Sequence, residues 1–159
     1  MGRVKLDSVD RKILSALQEN GRITNVDLAN KVGITAPPCL RRVRALEEAG
    51  YIEDYHAKLS AEKLGYTITV FAMVRLHNQS EADLKAFEAK VHSWPLVRDC
   101  YLLNGDIDFI LKIVAKDLAE FQQFLTSELV HADNVASVRT SLTVSSVKHV
   151  PGIPLPAVE

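Results

Sequence analysis

Apolar residues recur with two different periods along this chain, and the change of period falls near Gly65. Before it they return every three or four residues, as on one side of a helix; after it they alternate, as on one face of a strand. Three short helices are predicted from the first pattern. Asp7 or Ser8 caps one that carries Val9, Ile13, Leu14 and Leu17 and ends near Asn20-Gly21. Thr24 caps the next, with Asp27 three residues on completing a capping box; Leu28, Ala29 and Val32 give it an apolar side, and Gly33 ends it. Thr35 caps the third, Pro37 and Pro38 fall in its first turn, where amide hydrogens have no intrahelical partner, and Gly50 lies at its C-terminal cap. Leu40, Val43 and Leu46 are read as its inner face, leaving Arg41, Arg42 and Arg44 on or beside the outer one. Residues 1–6 are expected to be loose. Tyr51 to Leu59 reads as an extended, short wing, and residues 60–65 as a one-turn helix at a domain junction.

After Gly65 the alternation runs from Tyr66 to His77, with Ile68, Val70, Ala72, Val74 and Leu76 on one side. Ser80 caps a helix bearing Leu84, Phe87 and Val91 that stops at Trp94-Pro95. Val97 to Asn104 and Ile107 to Ala115 read as strands, with Asn104-Gly105 a strong hairpin-turn signal between them. Asp117 caps a helix with Leu118, Phe121, Leu125 and Leu129 inward, and Val135 to Val147 is the last strand. Strand–helix–strand–strand–helix–strand is the split arrangement of ferredoxin-like folds. The expectation is therefore an α+β chain, a winged helix-turn-helix (1–59), a junction (60–65), a βαββαβ sandwich (66–148) and a Pro-rich tail (149–159).

Two helices on one face of such a sheet leave the other face to water, where polar residues belong. Phe71, Met73, Ile110 and Val114 fall there instead. An exposed apolar patch marks a contact surface, and a homodimer through the sheets is the expectation.

Charge sharpens the reading of the first half. The whole chain has a formal net charge of −1, yet residues 1–59 hold ten Lys/Arg against eight Asp/Glu, and the remainder nine against twelve. A short-range basic field on one helix serves duplex DNA better than a high total. A helix with cations outside and apolar residues inside suits the major groove, where a guanidinium can bond guanine in two places. The residues placed to meet double-stranded DNA are Thr24, Asn25, Thr35, Ala36, Pro37, Pro38, Arg41, Arg42 and Arg44. The competing reading is an oligomeric small-molecule-binding module that leaves DNA alone; the three arginines speak against it.

Other chemistry is sparse. The five histidines are scattered without a nucleophile nearby, and no Gly-rich phosphate loop or paired-cysteine motif occurs. Cys39 and Cys100 have no metal-ligand spacing and are expected to be buried thiols. Neither a catalytic site, a metal nor a cofactor is expected. No apolar run approaches the roughly 18 residues of a membrane span, and the N-terminus lacks a signal-peptide core, so the expected location is the cytoplasm, away from membranes.

Three stretches, LDSVDRKILSALQENGRITNVDLANKVGI, PCLRRVRALEEAGYI and NGDIDFILK, in this order and spacing resemble the Lrp/AsnC (leucine-responsive, feast/famine) family of transcriptional regulators. The resemblance covers residues 4 to 148. It implies dimers built into octamers or higher assemblies, and a small amino-acid-type effector held between dimers near Asn104 to Asp108. Carried over by motif, the effector positions are Gly105, Asp106 and Asp108, with Leu102, Thr140 and Ser141 as further walls. In the alternation of the third strand, Ile107, Phe109, Leu111 and Ile113 face the core, which would turn Asp108 to the interface side. Pro37 departs from the family pattern, since relatives often place a small hydroxyl residue there.

Overall fold

A computed structural model describes residues 6–156, and the reading of residues 1–5 as loose lies outside them. The chain divides into two compact units, one from the N-terminus to Lys58 together with the segment from Lys148 onward, the other Leu59–Val147. The junction thus belongs with the sandwich, and the tail belongs with the N-terminal helices.

In the first unit α1 (Ser8–Glu19), α2 (Asn25–Val32) and α3 (Ala36–Glu48) enclose a core of Ile13, Ala16, Leu28, Ala29, Val32, Cys39 and Leu46. Asp7 caps α1 through a reciprocal capping box with Asp10. Thr24 caps α2 by accepting from the Asp27 amide, but the Asp27 carboxylate accepts from the Thr24 hydroxyl, not its backbone, so no full box forms. Gly33 ends α2 at φ 79°, a conformation glycine reaches without steric cost. On α3 the inner face is Ala36, Cys39, Val43 and Leu46. Leu40, read as inner from its spacing, is 39% exposed; the register of α3 gives that inner place to Cys39. The stretch 53–60 is irregular and forms no ladder, so the expected wing is not a paired strand within this chain.

The second unit opens with a 3₁₀ turn at Glu62–Leu64, then β1 (Ile68–Leu76), α4 (Glu81–His92), β2 (Val97–Leu102), β3 (Phe109–Ala115), α5 (Leu118–Phe124) and β4 (Val135–Leu142). The four strands lie in the order β2-β3-β1-β4, all antiparallel. Val70, Ala72, Val74, Phe109, Leu111 and Ile113 point from the central pair into a core closed by Phe87, Val91, Trp94, Phe121, Phe124 and Leu129. Aromatic edges fix that packing: Phe87 meets Phe109 at 4.7 Å, and Trp94 meets Phe124 edge-on at 5.4 Å. β4 ends sooner than its composition suggested. Its last ladder bond, Thr143 amide to Thr69 carbonyl at 2.9 Å, comes where β1 begins, and a strand without a partner has nothing to pair.

Two departures from the expected helices and turns have local causes. After Phe124 the helix widens into a π turn, Leu125–Leu129. There the Thr126 and Ser127 hydroxyls donate to the carbonyls of Gln122 and Gln123. The wider turn brings Leu129, five residues after Phe124, into the core, while Leu118, expected inward, is 51% exposed. Between β2 and β3 there is no two-residue hairpin. The strands stop at Leu102 and Phe109, and neither Asn104 nor Gly105 has the positive φ that a type I′ turn needs.

Asp108 explains the longer loop. It is 6% exposed and its amide donates to Val74 O at 3.0 Å, while its carbonyl accepts from Leu103 N at 2.7 Å, closing the loop. Its Oδ2 accepts from the Leu76 amide at 2.7 Å. The carboxylate thus extends the β1–β3 ladder past the end of β3, where β1 and β4 shift register between Arg75 and Leu76. Asp108 therefore does not turn to the open sheet face, as alternation from Ile107 implied, because it lies before the strand begins. Replacing it by alanine leaves a buried amide unpaired, at an expected cost of about 1–3 kcal/mol. Urea unfolding should show that loss in Asp108→Ala and a markedly smaller one in Asp108→Asn, which keeps an acceptor.

Candidate DNA interface and ligand-domain surface

The N-terminus of α3 is unusual in its donors. A capping side chain accepts from the amide two or three residues inside the helix, and those positions here are Pro37 and Pro38, which have no N–H. Thr35 therefore sits at the cap without a side-chain cap bond, and its exposed hydroxyl is left to bind something else. Asn25 is committed elsewhere: its Nδ2 donates to the Ala36 carbonyl at 2.9 Å, pinning the start of α2 to the start of α3, while its buried Oδ1 has no partner. Thr24 is likewise engaged in its cap. Of the nine residues expected at DNA, these two act on the fold.

The three arginines separate. Arg41 and Arg44 are exposed, and neither has an ion-pair partner among the described residues. With Pro37 and Leu40 they form one outward stripe at helical spacing. Leu40, which sequence spacing placed inward, belongs to this exposed stripe. Arg42 turns inward instead. Its Nη1 donates to Asp7 Oδ2 and to Asp10 Oδ1, each at 2.7 Å, and Asp10 is almost buried. The hydrogen bonds to Asp10 and Asp7 hold the Arg42 guanidinium above its ordinary pKa. The Asp10 amide, and then Arg42, hold Asp7 below the ordinary carboxylate value of 3.8. Arg42 is thus a clamp between α1 and α3 and not part of the outer face.

The ligand-domain residues are dispersed too. Leu102 ends β2 and Thr140 and Ser141 lie on β4, at opposite edges of the sheet. Two strands lie between, about 14 Å at the usual strand spacing. Thr140 pairs with Ala72 and Ser141 with Phe71, so the two side chains point to opposite faces. Gly105 and Asp106 are exposed in the 103–108 loop, beside Leu102. One chain thus brings Leu102, Gly105 and Asp106 together, and leaves Asp108 bonded inward and Thr140 and Ser141 across the sheet. The open face carries the expected Phe71, Met73, Ile110 and Val114, with Phe71 38% exposed. It is less uniformly apolar than expected: Lys112, between Ile110 and Val114, pairs with Asp99 at 2.9 Å. No group of three or more His, Cys, Asp or Glu among the described residues could hold a metal. No helix among them is long and apolar enough to cross a membrane. Cys39 and Cys100 are unpaired; Cys39 is buried as expected and Cys100 only half-buried, and desolvation raises both thiols, Cys100 to about 11, in neither case favouring a reactive thiolate.

A helix pair with a free-hydroxyl cap and two outward arginines, joined to a four-stranded sheet domain, defines a two-domain DNA-binding regulator. The comparisons with known proteins agree. Residues 6–53 match the winged helix-turn-helix DNA-binding model and residues 69–153 the Lrp/AsnC ligand binding domain. The chain is 57% identical over 146 residues to a leucine-responsive regulatory protein of Rhizobium meliloti, covering 92% of this chain and 94% of that one. It is 43% identical over 143 residues to the Bkd operon transcriptional regulator of Pseudomonas aeruginosa, covering 90% and 94%. A transcriptional regulator of Neisseria meningitidis solved as a complex with L-Met superposes with a TM-score of 0.90 at 36% identity, covering 95% of this chain and 97% of that one. The chain belongs to the Lrp/AsnC family of transcriptional regulators.

The clamp gives a prediction that separates Arg42 from its neighbours. Arg42→Ala should lower stability by about 1 kcal/mol, the upper end for a pair whose Asp7 side is solvent-screened. Because the Asp7 carboxyl is depressed on folding, its contribution is present above pH 3.8 and lost as pH falls through the folded value. Acid unfolding of wild type and Arg42→Ala should therefore converge below that range, and Arg41→Ala should show neither effect.

Proposed function

We propose that this regulator reads the major groove with Thr35, Leu40, Arg41 and Arg44, and that an amino-acid-type ligand controls its assembly on DNA. The observation that carries the first part is the pair of prolines behind Thr35, which releases its hydroxyl from capping duty. A phosphate contact from Thr35 then stands in for the hydroxyl that relatives carry at the position of Pro37. Ala36 retains an amide hydrogen at the helix start, where the dipole favours an anion, while Pro37 and Pro38 supply shape.

The ligand reading rests on the loop beside Leu102. Gly105 and Asp106 are open to solvent there, and exposed Leu102 offers apolar contact for an uncharged side chain. Thr140 and Ser141 belong to the opposite edge, so a site using both sets takes one from each of two chains. That favours a ligand held between dimers, consistent with a homodimer through the open sheet face and a higher assembly such as an octamer. Such a protein works in the cytoplasm, and the reading gives it no catalytic role. One relative is named leucine-responsive and one structural neighbour was solved with L-Met, which supports a related uncharged amino acid as the ligand.

Two measurements test these readings. In gel shifts on genomic fragments, Arg41→Ala/Arg44→Ala should weaken binding by about 1–3 kcal/mol per lost base contact. Thr35→Ala should weaken it with the salt dependence kept, because a neutral hydroxyl releases no counterion, and with thermal stability unchanged. Undiminished affinity in both variants would remove α3 from the interface. For the ligand, thermal-shift screening of the twenty amino acids should yield an uncharged hit that stabilises wild type and not Leu102→Asp. A hit that stabilises both equally places the ligand elsewhere.

A further inference from the structure

We propose that residues 151–156 form a strap on the DNA-binding unit, that Gln18 receives it, and that the strap holds α1 where Asp7 and Asp10 grip Arg42. The chain leaves the helical unit after Lys58 and returns to it at Lys148. On its return the Gln18 side-chain amide pairs with one peptide group of the tail as a neighbouring strand would. Its Nε2 donates to the Ile153 carbonyl at 2.8 Å and its Oε1 accepts from the Ile153 amide at 3.0 Å.

The adjoining glycine is shaped for this contact. Gly152 has φ +82°, and a Cβ there would collide with Gln18 Cδ and Oε1 and lie 2.6 Å from Cγ. Any other residue would therefore both strain the backbone and evict the amide from its two bonds. Leu155 is the half-buried residue of the segment. On one side it and Pro156 face Lys12, Ser15, Ala16, Lys31 and Val32 across a cleft of about 240 Å³. On the other, Gly152, Ile153 and Leu155 wall a largely apolar cavity of about 580 Å³ with Leu14 and Leu17. Pro151, Pro154 and Pro156 restrict the free segment, so docking orders little, and they leave few amides in need of partners.

α1 is thus gripped at both ends, by the strap at Gln18 and by Arg42 at Asp7 and Asp10. The strap follows β4 after only a short exposed stretch, so the ligand-binding domain is tied to the DNA-binding unit by two covalent paths instead of one. This makes Gln18 and Gly152 positioning residues for DNA binding, although neither lies on the α3 face.

Hydrogen exchange on the full chain reads the docking directly. The Ile153 amide should be protected in wild type, and Gln18→Ala and Gly152→Ala should each speed its exchange at least about tenfold. Combining them should add nothing further, because both break one contact. In gel shifts the same variants should weaken DNA binding about threefold or more, with light scattering showing the assembly of wild type. In an Arg42→Ala background the strap variants should change affinity less than they do alone. An unprotected Ile153 amide in wild type, or full DNA affinity in both strap variants, would overturn the proposal.

Discussion

Arg42 lies between the two acidic residues that begin α1, and one of its terminal nitrogens bonds both carboxylates. A helix of this length would be marginal alone, and three such helices bury only a small core. Within that limit a single cation that satisfies the cap of one helix from the body of another fixes their angle at little cost in apolar area. With the core contacts of Cys39, Val43 and Leu46 it sets how α3 is rolled against α1, and so the direction in which Arg41 and Arg44 point. The inward turn of Arg42 and the outward turn of its neighbours are one rotational fact. It also puts Cys39 inside and Leu40 outside.

Much of this was legible in the sequence. The change of period at Gly65, the caps at Asp7, Thr24, Ser80 and Asp117, and the succession of strands and helices along the chain all follow from local rules, because caps and alternation act over four or five residues. What was illegible involves a partner distant in sequence. Arg42 meets Asp7 across 35 residues and Asp108 meets Leu76 across 32, and no periodicity encodes which of three consecutive-looking arginines finds a carboxylate. Leu118 and Leu40 failed for a related reason. A leucine at helical spacing is apolar whether or not the neighbouring surface is there to cover it.

Thr35 shows how a local rule can be overridden by an even more local one. Its type and position mark it as a cap, and the prolines that follow mark a helix start. Together, however, they cancel the cap bond, because the amides it would accept are the ones proline lacks. The outcome is a polar side chain at a helix N-terminus with no structural duty, the place where an anion is most favoured. Natural sequences break local consistency chiefly at functional positions, and here the break falls at the end of α3 that is proposed above to meet DNA.

The sheet imposes the remaining constraint. Its order β2-β3-β1-β4 sends the Leu102 loop and the Thr140 edge to opposite sides, and no rearrangement short of refolding unites them in one chain. A ligand that touches both must bridge copies, and a bridging ligand has different affinities for different assemblies. That difference is the whole of its regulatory power, since a ligand equally bound in all states shifts nothing. The coupling available at such sites is usually about 1–3 kcal/mol, far too little to refold a domain. Under the function proposed above, it is ample to change which assembly presents α3 to DNA without altering the helix-turn-helix itself.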